Sequence, residues 1–222
     1  MKYFSVDVVT QGDSFSVKPQ KYTAKEITIE SDWSSSAYIY AIASLKKGSE
    51  IKLKGLGKQS IQGDCNIKDI MKNFGVQTFF ESDGIRIVSN GSKPDQFEFD
   101  FTNYPDLVPV MTVLCAVKNI PFHFTGVGHL RYKESDRLAT LKKELSKTGA
   151  TIHIGDNEIS LLEYNQISPK TVILDSHNDH RLAMSMALFS CVNHTIQISG
   201  IEVVDKSYPG FWEDMKKLEI RL

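Results

Sequence analysis

Residues 131 to 137 read RYKESDR, and five of the seven carry charge: Arg131, Lys133, Glu134, Asp136 and Arg137. An amphipathic helix signal begins there. Arginine offers a planar, bidentate grip on phosphate or carboxylate, and lysine a mobile point charge. A helix start adds free N–H groups and the positive end of a dipole. Carboxylates among such cations can move protons if burial or a like charge raises a pKa. Taken alone, the run reads as a solvated helix cap, and Glu134 with Arg137 as a surface pair worth little. Asp179-His180-Arg181 alone also reads as a cap. What shifts the balance is spacing. From Asp106 to Lys133 is 27 positions, and from Asp179 to Lys206 is again 27; Gln59 stands at that offset from Asp32.

The elements that must position these residues repeat. Asp32, Asp106 and Asp179 each open a run of small and apolar residues: DWSSSAYIYAIASL, DLVPVMTVLCAV and DHRLAMSMALFSCV. Each run leads to a strand signal ending in glycine, at Gly55, Gly126 and Gly200. The offsets are 74 and 73 for the aspartates, 71 and 74 for the glycines. In the first two copies a charged helix follows, CNIKDIMKNFG and SDRLATLKKELSKTG, and then a hairpin. In the third, GFWEDMKKL almost finishes the chain. Short strand signals, ITIE, FEFDF and TVILD, precede the three units. Leu138, Leu141 and Leu145 mark one apolar helical stripe. Gly75 and Gly149 suit left-handed helix ends. Helices apolar all round are buried on every side. The expected fold is a mixed α/β domain of three βαβαββ-type repeats, about 27–92, 97–164 and 171–222, with buried helices surrounded by sheets. If the pseudosymmetry holds, helix starts converge on one face carrying Lys133, Arg137, Arg181 and Lys206, with Asp106, Glu134 and Asp179 among them. Residues 1–26 fall outside the repeat and read as a hairpin and connector.

Composition narrows the function. Lys plus Arg number 26 against 27 Asp plus Glu, a net charge of −1, so no global attraction to nucleic acid or an anionic membrane is expected. Cys65, Cys115 and Cys191 lack CxxC spacing and read as buried thiols in a reducing cytosol. With no signal-peptide layout or membrane-length apolar run, the expectation is a cytoplasmic chain. His177 and His180 are three apart without an evident third ligand, so a metal site is not expected. GLGKQSIQG lacks the Lys-Ser/Thr end of a phosphate loop, and no nucleophile elbow is present.

SDWSSSAYIYAIASL, NYPDLVPVMTVLCAV, LRYKESDRLATLKKELSKTGA, DHRLAMSMAL and DKSYPGFWEDMKKL occur in an order and spacing that closely resembles the C-terminal half of the 3-phosphoshikimate 1-carboxyvinyltransferases, the EPSP synthases. The resemblance runs from about residue 28 to the end, and RxKESDRL is its most specific motif. It implies an enzyme of two similar domains, with helix starts pointing into the cleft between them. That enzyme joins phosphoenolpyruvate to shikimate 3-phosphate in aromatic amino-acid biosynthesis. Phosphate is released through a tetrahedral intermediate, without metal or organic cofactor.

By the same resemblance Asp106 contacts the shikimate hydroxyl and acts as its base. Glu134 shuttles a proton at the enolpyruvyl methylene. Lys133 lies on the shikimate-phosphate side, and Arg137, Arg181 and Lys206 bind phosphoenolpyruvate with Asp179 beside them. His129 falls where many members have Asn. Family members are about twice this length. The expected partner is therefore the missing N-terminal domain, of which residues 1–26 would be a remnant, and this chain alone is expected to fold without turning over. Two other readings stay open: a UDP-sugar enolpyruvyl transferase, against which KESDR argues, and a non-catalytic anion-binding module. A nucleic-acid-binding module is a third, disfavoured by the net charge.

Overall fold

A computed structural model describes residues 1–165, 171–192 and 196–218. The chain divides into two compact units, Met1–Glu30 and Ser31–Leu222. The first unit carries a short hairpin, β1 (Val9–Gln11) against β2 (Ser14–Ser16), turning at Gly12. A 3-10 turn, Lys2–Phe4, precedes it. ITIE forms no strand, and Ile27 and Ile29 are exposed.

The second unit opens with α1 (Trp33–Leu45), followed by β3 (Glu50–Lys54). The helix expected over CNIKDIMKNFG is a single α-turn, α2 (Ile67–Ile70), between 3-10 segments Gly63–Asn66 and Met71–Phe74. The hairpin β4 (Val76–Glu81) and β5 (Gly84–Ser89) completes a three-stranded sheet ordered β3-β5-β4. The second repeat is β6 (Phe97–Asp100), α3 (Val108–Val117), β7 (Phe122–Thr125), α4 (Arg137–Ser146), β8 (Ala150–Ile154) and β9 (Glu158–Tyr164). Its sheet runs β6-β7-β9-β8, with β6 parallel to β7 and the other pairs antiparallel. In the third, β10 (Val172–Asp175) pairs in parallel with β11 (Ile196–Ser199). Between them runs α5 (His180–Met186), continued by 3-10 turns to Val192; α6 (Phe211–Lys217) follows. The first residues of the HTIQISG signal lie outside the described residues.

The all-apolar helices form the core. Ten of thirteen α1 residues are buried, nine of ten in α3, and every α5 residue but Arg181. The three pack together, α3 against both others and α1 against the turns after α5. Leu138, Leu141 and Leu145 turn the α4 stripe inward, each contributing about 2 kcal/mol by burial.

The glycine series has a steric cause. Gly55, Gly126 and Gly200 have φ of 76°, 74° and 69°, a conformation that disfavours side chains. A Cβ would also run into Ser31 at Gly55, Thr102 at Gly126 and Ser176 at Gly200. Those three hydroxyl residues are spaced 71 and 74 apart, as the glycines are. Each repeat thus crosses the end of its Gly-terminated strand at the same point, just before the aspartate that starts the buried helix.

Candidate active site

Those crossings deliver three helix starts to one place. Asp32 caps α1, accepting from the N–H groups of Ser34 and Ser35. Asp179 caps α5, accepting from Arg181 N at 3.0 Å. Asp106 sits in the 3-10 turn Pro105–Leu107 that runs into α3. Asp136 caps α4 through Ala139 N. Its carboxylate satisfies an otherwise unpaired helix donor, and Arg137 is the first helical residue.

Arg137 is the hub. Its side chain is fully buried, and its three nitrogens each meet carboxylate. Nε donates to Asp179 Oδ2 at 2.7 Å, Nη1 to Asp106 Oδ1 at 3.2 Å and Nη2 to Glu134 Oε2 at 2.7 Å. Arg181 Nη2 donates to the other Asp106 oxygen at 2.8 Å. Lys133 Nζ lies 3.9 Å from Asp106, and Lys206 Nζ 4.0 Å from Glu134. The structure therefore brings together Asp106, Lys133, Glu134, Arg137, Asp179, Arg181 and Lys206. His129, exposed on the turn Gly128–Tyr132, has no hydrogen bond or ion pair to this cluster among the described residues.

Exposure sorts the members. Asp179 is as buried as Arg137, whereas Asp106 and Glu134 keep 30 % and 29 % of their side-chain surface. The buried pair forms a floor; the half-buried acids, with Lys133 and Lys206 beside them, form the face. Burial pushes the Asp179 carboxyl up, but the hydrogen bonds and charge of Arg137 outweigh it and hold it below the usual carboxylate range. Burial likewise works against charge on Arg181, yet Tyr38, Asp106 and Asp64 raise its pKa further.

Four more residues belong to this neighbourhood that the sequence motifs did not mark as part of the site. Asp64 is buried and accepts from Ser34 Oγ at 2.5 Å. Its pKa is raised by burial first; Ser34 opposes this and Asp106 adds to it. Asp64 lies 72 positions before Asp136, so repeat register could have found it, but not its burial. Tyr38 is buried with its hydroxyl near Arg181, without a hydrogen bond of normal geometry; burial lifts its pKa to about 12 against the pull of Arg181. His180 Nδ1 is buried and stands 4.0 Å from Glu134; burial, then Arg181, lowers the His180 pKa. Ser135 Oγ donates to Asp179.

Above the buried Arg137–Asp179 floor, Lys133, Arg181 and Lys206 stand with two half-buried carboxylates, an arrangement suited to a small polyanion and to proton transfer. The face is open. A cavity of about 450 Å³ between the α1 start, β3 and α6 is lined by none of these seven residues. Among the described residues, no group of three or more His, Cys, Asp or Glu could hold a metal ion. The cysteines are unpaired, Cys115 buried and Cys65 and Cys191 partly so. No helix among the described residues is long and apolar enough to cross a membrane.

Fold and site together define an α/β domain of repeated units that gathers lysines, arginines and carboxylates at converging helix starts. The sequence profile of the EPSP synthases (3-phosphoshikimate 1-carboxyvinyltransferases) matches residues 1–215, and the chain belongs to that family. A 3-phosphoshikimate 1-carboxyvinyltransferase of Bacteroides fragilis is 38 % identical over 209 residues, 94 % of this chain and 51 % of that protein. One from Syntrophobacter fumaroxidans is 37 % identical, over 90 % of this chain and 47 % of its own length. The chain thus spans about half the length of the curated relatives it matches. The structure of EPSP synthase from Acinetobacter baumannii superimposes with a TM-score of 0.71 at 24 % identity, covering 97 % of this chain and 52 % of that one. The enolpyruvyl transferase NikO from Streptomyces tendae gives 0.70 at 17 % identity, covering 99 % and 51 %. These two likenesses bear on the fold, which is that of the enolpyruvyl transferases.

Proposed function

We propose that this chain is the C-terminal half of an EPSP synthase. In this reading it supplies one wall of a cleft in which the enolpyruvyl group of phosphoenolpyruvate passes to shikimate 3-phosphate with release of phosphate. The observation that carries the reading is the convergence of Lys133, Arg137, Arg181 and Lys206 on the half-buried acids Asp106 and Glu134. Both substrates are polyanions and need that many cations. Adding a hydroxyl across a vinyl ester needs one group to take the hydroxyl proton and another to protonate the methylene carbon. Asp106 is assigned the first role and Glu134 the second.

Lys133 is assigned to the shikimate-phosphate side. Arg181 and Lys206 are assigned to phosphoenolpyruvate, with Arg137 behind them. Because Arg137 has no exposed side-chain surface, an anion reaches it only if Asp106 or Glu134 turns away. Asp179 holds Arg137 in place, and His129 is assigned an outlying substrate contact. A second domain closing over the face would exclude water and align the reactants. A cytoplasmic location goes with this reading.

The test is phosphate release from phosphoenolpyruvate plus shikimate 3-phosphate. It is run with this chain alone, and with the separately expressed N-terminal half added. Activity in the mixture alone is expected. Replacing shikimate 3-phosphate by UDP-N-acetylglucosamine should abolish it; turnover with the nucleotide sugar would reassign the substrate. Phosphoenolpyruvate binding with no turnover in either arm would leave a non-catalytic anion-binding module.

A further inference from the structure

Seven residues beyond Arg137, about two turns along the same face of α4, stands a second fully buried carboxylate, Glu144. Its Oε1 lies 2.8 Å from His177 Nε2. Its Oε2 accepts from Asp175 N at 2.9 Å and from Lys147 Nζ at 2.5 Å. Lys147 also donates to the carbonyl of Ile173 at 3.1 Å. Beyond its own helix end, Glu144 therefore grips one thing: the end of β10 and the loop that leads to Asp179.

That loop has an uncommon backbone. His177 and Asn178 have φ of 51° and 57°. Asparagine and histidine enter the left-handed region more often than most residues with side chains, yet at a cost that glycine does not bear. The length of the crossing differs between repeats: Ser31 to Asp32 takes one step, Thr102 to Asp106 four and Ser176 to Asp179 three. His177 N donates to Asp175 Oδ1 at 2.8 Å, which helps close the turn. A conformation of this kind persists when its surroundings over-determine it. Glu144 is the side chain from outside the loop that takes hold of both the His177 ring and the Asp175 N–H.

We infer that Glu144 and His177 are positioning residues for the anion face: their contact sets the path of residues 175–178, and so where Asp179 and Arg181 stand. Helix α4 then holds the α5 start at two points, with Arg137 on Asp179 at one end and Glu144 on His177 two turns away. The consequence for binding rests on the proposed function above; the consequence for structure does not.

The test compares His177→Ala with His177→Gly. Both remove the ring. Glycine also relieves the left-handed backbone, so its variant should be the more stable of the two. Two readouts are followed in each. One is hydrogen exchange at the Arg181 amide, which donates to Asp179. The other is phosphoenolpyruvate affinity of the chain combined with its missing half. The expected result is faster Arg181 exchange and an affinity lower by about tenfold in both variants, including the more stable glycine variant. Wild-type exchange and affinity in His177→Gly would overturn the inference, leaving His177 a stability residue. If the wild-type combination binds no phosphoenolpyruvate, the proposed function fails, and the Arg181 exchange still decides this point by itself.

Discussion

Arg137 Nε donates to Asp179 Oδ2 at 2.7 Å, and neither side chain has any exposed surface. The bond joins the start of α4 to the start of α5, 42 residues apart in the chain. Desolvating both groups costs several kcal/mol, recovered only while the pair is intact. Arg137→Met leaves Asp179 buried without its countercharge and should destabilise the chain by about 3–5 kcal/mol in urea unfolding. Arg137→Lys should rescue little, because a point charge cannot meet three carboxylates in a plane. A loss below about 1 kcal/mol for the methionine variant would refute this account of the hub.

Lys206 presents the contrast. Its side chain is 62 % exposed and 4.0 Å from Glu134, so the pair adds little stability. Lys206→Ala should unfold within about 0.5 kcal/mol of the parent chain. In the reconstituted enzyme it should raise the KM for phosphoenolpyruvate by about tenfold or more, the worth of one charge-assisted contact. An unchanged KM would remove Lys206 from the substrate site.

Asp106→Asn and Glu134→Gln preserve shape and remove the proton-transfer function proposed for these two groups. Each should lower kcat of the reconstituted enzyme by about 10²–10⁴. Steady-state kinetics with both substrates saturating would show this, and a variant retaining more than half the parental kcat would not be acting on a proton.

Acid should unfold the chain in two stages. The His180 pKa is lowered in the fold, so between that value and about 6.5 the unfolded chain binds a proton that the fold refuses. Stability therefore falls as pH drops below about 6.5. Asp179 and Glu144 are both held below the usual carboxylate range; burial opposes this, while Arg137 lowers the first and Lys147, His177 and the Asp175 N–H lower the second. Their contribution is complete above the unfolded values of about 4 and is lost as pH falls through the lower folded ones. Asp64, raised by burial, works the other way: its contribution is complete below its unfolded value and fades as pH rises through its folded one. Urea midpoints from pH 8 to 3 should show both descents. His180→Asn should remove the upper one, and its survival in that variant would assign it elsewhere.

Gly126→Ala should cost more than Gly200→Ala. Both residues are left-handed, but at Gly126 the new methyl meets the backbone N of Thr102 and the Asp100 carboxylate, which is itself bound to Thr102. At Gly200 the close obstacle is the Ser176 hydroxyl, which can turn. About 1 kcal/mol is expected from the backbone conformation alone at either site, with the excess at Gly126 read by thermal or urea unfolding. Equal losses would mean that steric crowding adds nothing.

The repeat was legible because its signals are local. Runs apolar on every side mark α1, α3 and α5. Aspartates before them mark helix starts, and Gly55, Gly126 and Gly200 mark one strand-end geometry. Equal offsets then placed Asp106 with Lys133 and Asp179 with Lys206, and the structure brings these four into one cluster with Glu134, Arg137 and Arg181. The signal over CNIKDIMKNFG marked a helix but not its division into 3-10 and α turns. ITIE has the alternation of a strand and forms none, since alternation alone does not make a ladder.

By itself the sequence determined the period, the all-round burial of three helices and which charged residues share a helix start. Tertiary structure alone decided how those charges are used. Glu134 and Arg137 have the spacing of a surface pair, yet Arg137 lies fully buried among three carboxylates while Glu134 stays half-exposed. Asp64 and Asp136 are repeat equivalents, yet one turns inward to Ser34 and the other caps a helix at the surface. His177 takes a left-handed backbone in contact with a glutamate 33 residues away. The physical reason is one of range. Propensity and periodicity act over a few residues, whereas desolvation and charge pairing depend on what the rest of the chain packs against each group.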